Sequence, residues 1–111
     1  MSAHVTTIES PQFEEEVLAG AEPVVLDFFS TECPPCEALA PKYEAVAEQF
    51  AGKVRFLKIF RQGNRELAVK LGVTGSPTVL FFKGGREVGS RMSGEDIKRS
   101  ALRSAVDALL A

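Results

Sequence analysis

The sequence predicts an α/β fold in which a central mixed β-sheet is flanked by helices on both faces. Three apolar runs rich in β-branched and aromatic residues, at 24–29, 54–60 and 78–82, are typical of buried strands. Segments with helical spacing of apolar residues separate these runs, and strands separated by helices are expected to pair in parallel. The two glycines of the turn at 83–86 predict a hairpin, which adds an antiparallel pair.

Two helices and a short strand are expected in the first half of the chain. The strand should lie near Val5. Ser10 and Pro11 are suited to the N-cap and first position of a helix, so the first helix is expected to begin there. The second helical pattern covers 36–51 and contains Pro41, which we expect to kink it because proline lacks an N–H and clashes one turn back.

The second half is expected to hold two more helices and a weaker strand. A short helix should end at Gly72, and 87–92 should form an exposed fourth strand after the hairpin. Residues 93–96 are expected to cap a last helix. Its apolar face would carry Ile97, Ala101, Leu102, Ala105, Val106, Leu109 and Leu110. No repeat or linker interrupts the chain, so 1–111 is predicted to be a single domain.

Composition and charge exclude several classes of partner. The 111 residues are 45% apolar and 25% charged with a net charge of -2, which gives no reason to expect nucleic acid or a membrane surface as partner. No apolar run approaches the roughly 18 residues of a membrane span. The first residues lack the basic and apolar regions of a signal peptide. We therefore expect a cytoplasmic protein. The chain is also expected to be a monomer.

The motif Cys33-Pro34-Pro35-Cys36 contains the only two cysteines and is the main candidate site. It lies between an apolar strand and a helical pattern, and the N-terminus of a helix favours a thiolate. In the cytosol such a close pair is more often catalytic or metal-binding than structural. Two cysteines and the distant His4 are too few for a closed zinc site, so we expect a reversible dithiol and no metal.

Two further positions stand out beside the motif. Asp27 is a carboxylate inside an apolar run, so it should be protonated or paired if it is buried; a solvated edge position is the alternative. Pro77 follows Ser76 at the start of a strand, where a proline can also be a simple edge feature.

Taken together, these residues resemble the thioredoxin family. The segment 24–41, with Asp27 and the two cysteines, is similar to the family's active-site region. The segment 75–78 is similar to its cis-proline loop, and 82–85 to the turn before its last strand. The likeness covers nearly the whole chain in order and spacing. It implies the thioredoxin fold with its extra N-terminal strand and helix.

The resemblance also implies roles for individual residues. Cys33 would be the nucleophile that attacks a substrate disulfide, and Cys36 the resolving thiol. Asp27 would have a raised pKa and act as general base towards Cys36, modulated by Lys58 on the neighbouring strand. Pro77 would be cis and would expose backbone for an extended substrate chain. Substrate-binding positions would be Pro34, Pro35, Ser76, Pro77 and Thr78.

The activity implied is reduction of protein disulfides by a protein that carries no bound cofactor. The Cys33–Cys36 disulfide would be reduced by an external partner, either a thioredoxin-reductase-type flavoprotein or a ferredoxin-linked reductase. Two alternatives remain open. One is a binding or assembly subunit with a specialised partner. The other is a glutaredoxin-like reductase that uses glutathione, which only Pro34 suggests.

Four departures from the family pattern surround the motif. Pro34 replaces the usual glycine and removes an N–H that could face the sulfur. Glu32 replaces a tryptophan and Glu37 a basic residue, and both add negative charge that disfavours a thiolate at Cys33. Arg61 replaces an acidic residue after the second apolar strand. These changes predict an altered surface for partners.

Overall fold

The computed structural model describes residues 3–111 and contains one mixed sheet of six strands. The strands are β1 (Val5–Ile8), β2 (Val24–Phe29), β3 (Arg55–Phe60), β4 (Thr78–Lys83), β5 (Arg86–Glu87) and β6 (Met92–Ser93). Their order is β1-β3-β2-β4-β5, and β6 also pairs with β4. The helices are α1 (Pro34–Gln49), α2 (Arg65–Lys70) and α3 (Arg99–Leu110). None of the helices within 3–111 is long and apolar enough to cross a membrane.

The direction of β4 differs from the expectation that strands separated by helices pair in parallel. Both β1 and β2 are parallel to β3, as expected, but β4 is antiparallel to β2. Both edges of β3 are already occupied, so β4 takes the free edge of β2. The six residues of α2 rise only about 9 Å, less than the roughly 20 Å of a six-residue strand. The chain therefore begins β4 near the C-terminal end of β3, and β4 runs in the opposite direction to β2 and β3.

Helices cover both faces of the sheet, as predicted. On one face α1 and α3 pack over a core that includes Val25, Phe56 and Phe81. On the other face α2 and the segment before β2 cover Leu26, Phe28 and other apolar side chains. Strand β2 is thus buried from both sides, which explains its continuous apolar sequence.

The predicted first helix is instead two short non-α segments. Residues Ser10–Gln12 form a 3₁₀ turn and Glu14–Leu18 a π-helical turn. Ser10 does not cap a helix because its hydroxyl donates to Oδ1 of the buried Asn64, at 2.6 Å. The backbone N–H of Ala19 donates to the carbonyl of Glu14 at 2.9 Å, which closes the π-helical turn.

The last helix begins later than predicted, at Arg99. Ser93 pairs with Thr78 in the sheet, and Gly94 has a φ of +99°, which is incompatible with a helix. Lys42 Nζ donates to the carbonyl of Ile97 at 3.1 Å. The segment 93–98 is therefore held outside the helix by contacts with α1 and β4.

The exposed strand predicted at 87–92 is broken into the two-residue strands β5 and β6. Gly89 between them has a φ of +70° and turns the backbone out of the sheet. The glycines of the hairpin, Gly84 and Gly85, have φ values of +64° and +79°, as the turn prediction requires. Helix α1 runs without interruption through Pro41, and the predicted kink stays a prediction.

Candidate active site

Three loops converge at one edge of the sheet. Parallel strands β2 and β3 both end there, and their last residues are partners in register. Antiparallel β4 begins at the same edge. Ser30 after β2, Arg61 after β3 and Ser76 before β4 therefore lie close together. The loop after Ser30 leads to Cys33 at the start of α1.

Cys33 is the N-cap residue of α1, with an extended backbone and a half-buried side chain. It forms a disulfide with Cys36, and their Cα atoms are 5.3 Å apart. The backbone N–H of Cys36 donates to Sγ of Cys33 at 3.3 Å. Cys36 itself is buried, with 8% of its surface exposed. The less buried sulfur, that of Cys33, thus lies at the positive end of the helix dipole, and the more buried sulfur of Cys36 lies one turn further into the helix.

The two prolines occupy the first and second positions of α1. The helix therefore begins at Pro34, two residues before the helical pattern predicted from Cys36, although Pro35 restricts the backbone of the residue before it. A proline is well suited to these positions because the first N–H groups of a helix have no partner within it. Because neither proline has an N–H, the N–H of Cys36 is the donor of the first turn that faces Cys33.

The peptide bond between Ser76 and Pro77 is cis, as predicted. The carbonyl oxygen of Ser76 lies 3.7 Å from Sγ of Cys33, so this loop contacts the disulfide directly. Pro77 is buried. Thr78 lies between β2 and β6, and its hydroxyl donates to the carbonyl of Gly75 at 2.9 Å. Its side chain is thus directed into the loop, whereas Ser76 lies at the disulfide.

Asp27 is buried, with 6% of its surface exposed, so the alternative of a solvated edge position is wrong. Its Oδ1 atom has no hydrogen-bond partner among the described residues. Burial disfavours the charged carboxylate and raises the pKa of Asp27 from 3.8 to about 7, although the charge of Lys58 acts in the opposite direction. Asp27 can therefore both release and accept a proton near neutral pH.

Asp27, Cys36 and Lys58 line one cavity of about 320 Å³. Lys58 is the register partner of Asp27 on β3, and its Nζ lies 5.2 Å from the ring centre of Phe29. A space of this size, with polar side chains such as Asp27 and Lys58 in an otherwise largely apolar lining, can hold water. The Asp27 carboxyl and the Cys36 side chain thus share one space large enough for water.

Tyr43 lines the same cavity, and sequence reasoning did not single it out. Its hydroxyl lies 2.6 Å from the carbonyl oxygen of Leu57 and 3.0 Å from that of Val25. Burial and the nearby Asp27 raise the pKa of Tyr43 well above its ordinary value, so it stays neutral. A tyrosine within an apolar helical face could have suggested a buried hydroxyl that needs a partner.

A second polar cluster was also missed and lies at the cis-proline loop. The hydroxyls of Ser30 and Ser76 are 2.5 Å apart, and Nε of Arg61 donates to Oγ of Ser76 at 2.8 Å. The replacement of an acidic residue by Arg61 was the available signal, but the sequence contains no indication that Arg61 reaches this loop.

The outer rim of the site carries two acidic residues. Glu32 and Glu37 are exposed on either side of the disulfide. Glu32 has a φ of +51°, in the left-handed region that few non-glycine residues adopt. Among residues 3–111 no group of three or more His, Cys, Asp and Glu side chains could hold a metal ion.

Comparison with known proteins agrees with this geometry. The chain matches the family described as Thioredoxin over residues 4–108. The chain belongs to the thioredoxin family. It is 39% identical to a thioredoxin of Peptoclostridium acidaminophilum over 111 residues, which cover all of this chain and 96% of the relative. It is 32% identical over 108 residues to a thioredoxin of Pseudomonas aeruginosa, covering 97% of this chain and 98% of the relative.

A third relative, named Thioredoxin C-2, comes from Corynebacterium nephridii and is 33% identical over 107 residues, with 96% and 97% of the two chains covered. Membership of this family, together with two cysteines in the C-x-x-C spacing that form a disulfide, makes the chain a thiol–disulfide oxidoreductase with disulfide-reductase activity.

Proposed function

We propose that the chain reduces disulfides of extended protein substrates, with Cys33 as the attacking sulfur. The observation that carries this proposal is the position of Cys33 at the N-terminus of α1, with its Sγ 3.7 Å from the Ser76 carbonyl beside the cis peptide bond. A substrate disulfide that reaches Cys33 must therefore pass the backbone of this loop. Recognition by the backbone favours an extended peptide over a small molecule.

The exchange proceeds in two displacements. The Cys33 thiolate attacks one sulfur of the substrate disulfide, forms a mixed disulfide and releases the other substrate sulfur as a thiolate, which takes a proton from water. The Cys36 thiol then loses its proton and attacks Sγ of Cys33. This step breaks the mixed disulfide, releases the second substrate thiol and leaves the Cys33–Cys36 disulfide. The substrate gains two electrons and the chain loses two.

Asp27 is proposed to accept the proton of Cys36 through water in the shared cavity. Its pKa of about 7 suits this role, since a general base works best when its pKa is near the working pH. Lys58 would favour the carboxylate form by its charge. Asp27 and Lys58 are thus proposed to act on the proton of Cys36, whereas the covalent bonds form and break only between sulfur atoms.

The remaining roles follow the same geometry. Pro34, Pro35 and Ser76 would form the surface that a substrate contacts, and the buried Pro77, with its cis peptide bond, and Thr78 are proposed to support it from within the loop. Residues 1–111 are proposed to act as a single monomeric domain without bound cofactor. An external flavoprotein or ferredoxin-linked reductase would restore the dithiol, and the cytoplasmic location stays a prediction.

Insulin-disulfide reduction in the presence of dithiothreitol tests the proposal. The wild type should accelerate insulin reduction, and the Cys33→Ser, Cys36→Ser double variant should not. Ser104→Ala, on the exposed side of α3, is the matched control and should retain full activity. If the double variant complements the loss of the wild type in cells, the chain is an assembly subunit. If glutathione alone sustains turnover, the glutaredoxin-like alternative is correct.

The direction of the reaction is tested by a redox titration against glutathione. A reductant should have a potential near the roughly -270 mV of thioredoxin, whereas a value near roughly -120 mV would indicate an oxidant.

A further inference from the structure

We infer that Arg61 selects substrates that carry a carboxylate next to the disulfide. This inference rests on the proposed function, because it assigns a preference to the same substrate surface. Arg61 lies directly after β3, at the end of the sheet where the dithiol lies. Its backbone N–H donates to the carbonyl of Phe29 at 2.8 Å, so the residue is anchored beside the loop that leads to Cys33.

The side chain of Arg61 is fastened to the cis-proline loop. Its Nε donates to Oγ of Ser76 at 2.8 Å, and Ser30 holds the same hydroxyl at 2.5 Å. The carbonyl of Ser76 in turn lies 3.7 Å from Sγ of Cys33. The guanidinium therefore contacts the side chain of the same residue whose backbone a substrate chain is proposed to pass.

The charge of Arg61 has no counter-ion within the described part of the chain. Its side chain is half-buried and, among residues 3–111, forms a hydrogen bond only with a neutral hydroxyl. Two other arginines with side chains 33% exposed each pair with a glutamate, Arg55 with Glu16 and Arg91 with Glu87. A partly desolvated cation without an anion is costly, so this site is suited to an anion from a partner.

The geometry of the guanidinium favours a carboxylate as this anion. Nε donates to Ser76, and neither terminal nitrogen has a hydrogen-bond partner among the residues that the structure describes, so these two nitrogens can act as a parallel pair of donors. Such a pair matches the two oxygens of one carboxylate. A glutamate or aspartate of the substrate, near its reactive cysteine, would bring these oxygens to Arg61 while the cysteine lies at Cys33.

The test uses short peptides with one central cysteine in disulfide with a neutral chromogenic pyridinethiol. One glutamate is moved through successive positions on either side of the cysteine, and each peptide has a glutamine counterpart. The wild type is expected to prefer glutamate to glutamine at one position by about tenfold in kcat/KM, mainly through KM, as expected for one charge-assisted contact. The preference should fall as salt rises.

Variants separate recognition from support of the loop. Arg61→Gln should abolish the preference, Arg61→Glu should invert it, and Arg61→Lys should retain part of it, since lysine has the charge without the paired donors. Arg65→Gln changes the net charge equally at an exposed position on α2 and should leave the preference unchanged. If Arg61 only supports the loop, Arg61→Gln would slow glutamate and glutamine peptides by the same factor.

The inference is overturned if the wild type shows no preference for glutamate at any position, or if a preference persists in Arg61→Gln. Both outcomes still leave measurable peptide reduction. A failure of the proposed function would look different, because then no peptide would be reduced by any variant.

Discussion

Replacement of Asp27 by asparagine should stabilise the folded protein at neutral and alkaline pH. The buried carboxyl has a pKa of about 7 in the fold and 3.8 ordinarily, so the folded state holds a proton between these values that the unfolded state has released. In that range the free energy of unfolding falls with rising pH, by about 1.4 kcal/mol for each pH unit. Above pH 7 the ionised carboxylate therefore lowers the free energy of unfolding by about 4 kcal/mol relative to a side chain that does not ionise.

The assay is urea unfolding of wild type and Asp27→Asn at several pH values, with the disulfide intact. The asparagine amide also needs hydrogen bonds, so the absolute gain can be smaller than the full penalty. The change of the free energy of unfolding with pH does not depend on the hydrogen bonds of the amide, because asparagine does not ionise. The difference in free energy of unfolding between the two proteins should widen by about 3 kcal/mol from pH 5 to pH 8, since most of the titration to about 7 lies in this interval.

Asp107→Asn, at an exposed position on α3, is the matched control and should produce no such widening. Parallel stability curves for wild type and Asp27→Asn between pH 5 and pH 8 would refute the reasoning, because they would mean that Asp27 does not ionise in this range. The same variant should also turn over more slowly at neutral pH, since it lacks the proposed proton acceptor for Cys36.

Three further predictions concern the motif and the scaffold. Pro34→Gly restores an N–H at the start of α1, so the midpoint of iodoacetamide alkylation of Cys33 should move down by about half to one pH unit; an unchanged or higher midpoint would contradict this. Gly85→Ala should cost about 2 to 3 kcal/mol in urea unfolding, because its Cβ would lie 2.8 Å from a backbone oxygen and its φ is +79°. Gly84→Ala, with a φ of +64° and open space around it, should cost only about 1 kcal/mol and is the control; equal losses would exclude the contact as the cause. Tyr43→Phe should lower the free energy of unfolding by about 1 kcal/mol, since the one hydroxyl proton that lies near two buried carbonyls is lost; no loss would mean that water replaces the hydroxyl.

The sheet and the dithiol could be predicted because their signals are local. The run at β2 is apolar on both faces, so its bounds were predicted without error. Cys33 and Cys36 are three positions apart, and this spacing by itself indicates that they can form a disulfide. Asp27 stood out for the same reason, as a charge within an apolar run.

The features that sequence reasoning missed depend on contacts between distant residues. The start of α3 is delayed by the bond from Lys42 to Ile97, which lies 55 positions away. The hydroxyl of Ser10 is occupied by Asn64, 54 positions away, so it is not available as a helix cap. The contact of Arg61 with Ser76 exists only because β4 is antiparallel to β2, and the direction of β4 was predicted wrongly.

The central claim is that Cys33 attacks the substrate and Cys36 resolves the mixed disulfide. Its most direct test is mass spectrometry of the covalent adduct formed with a disulfide-bonded protein substrate, comparing Cys36→Ser with Cys33→Ser. We expect Cys36→Ser to accumulate an adduct through Cys33, because the resolving thiol is missing, and Cys33→Ser to form none, because Cys36 is buried. An adduct that forms equally or faster on Cys33→Ser would contradict the assignment of the two sulfurs.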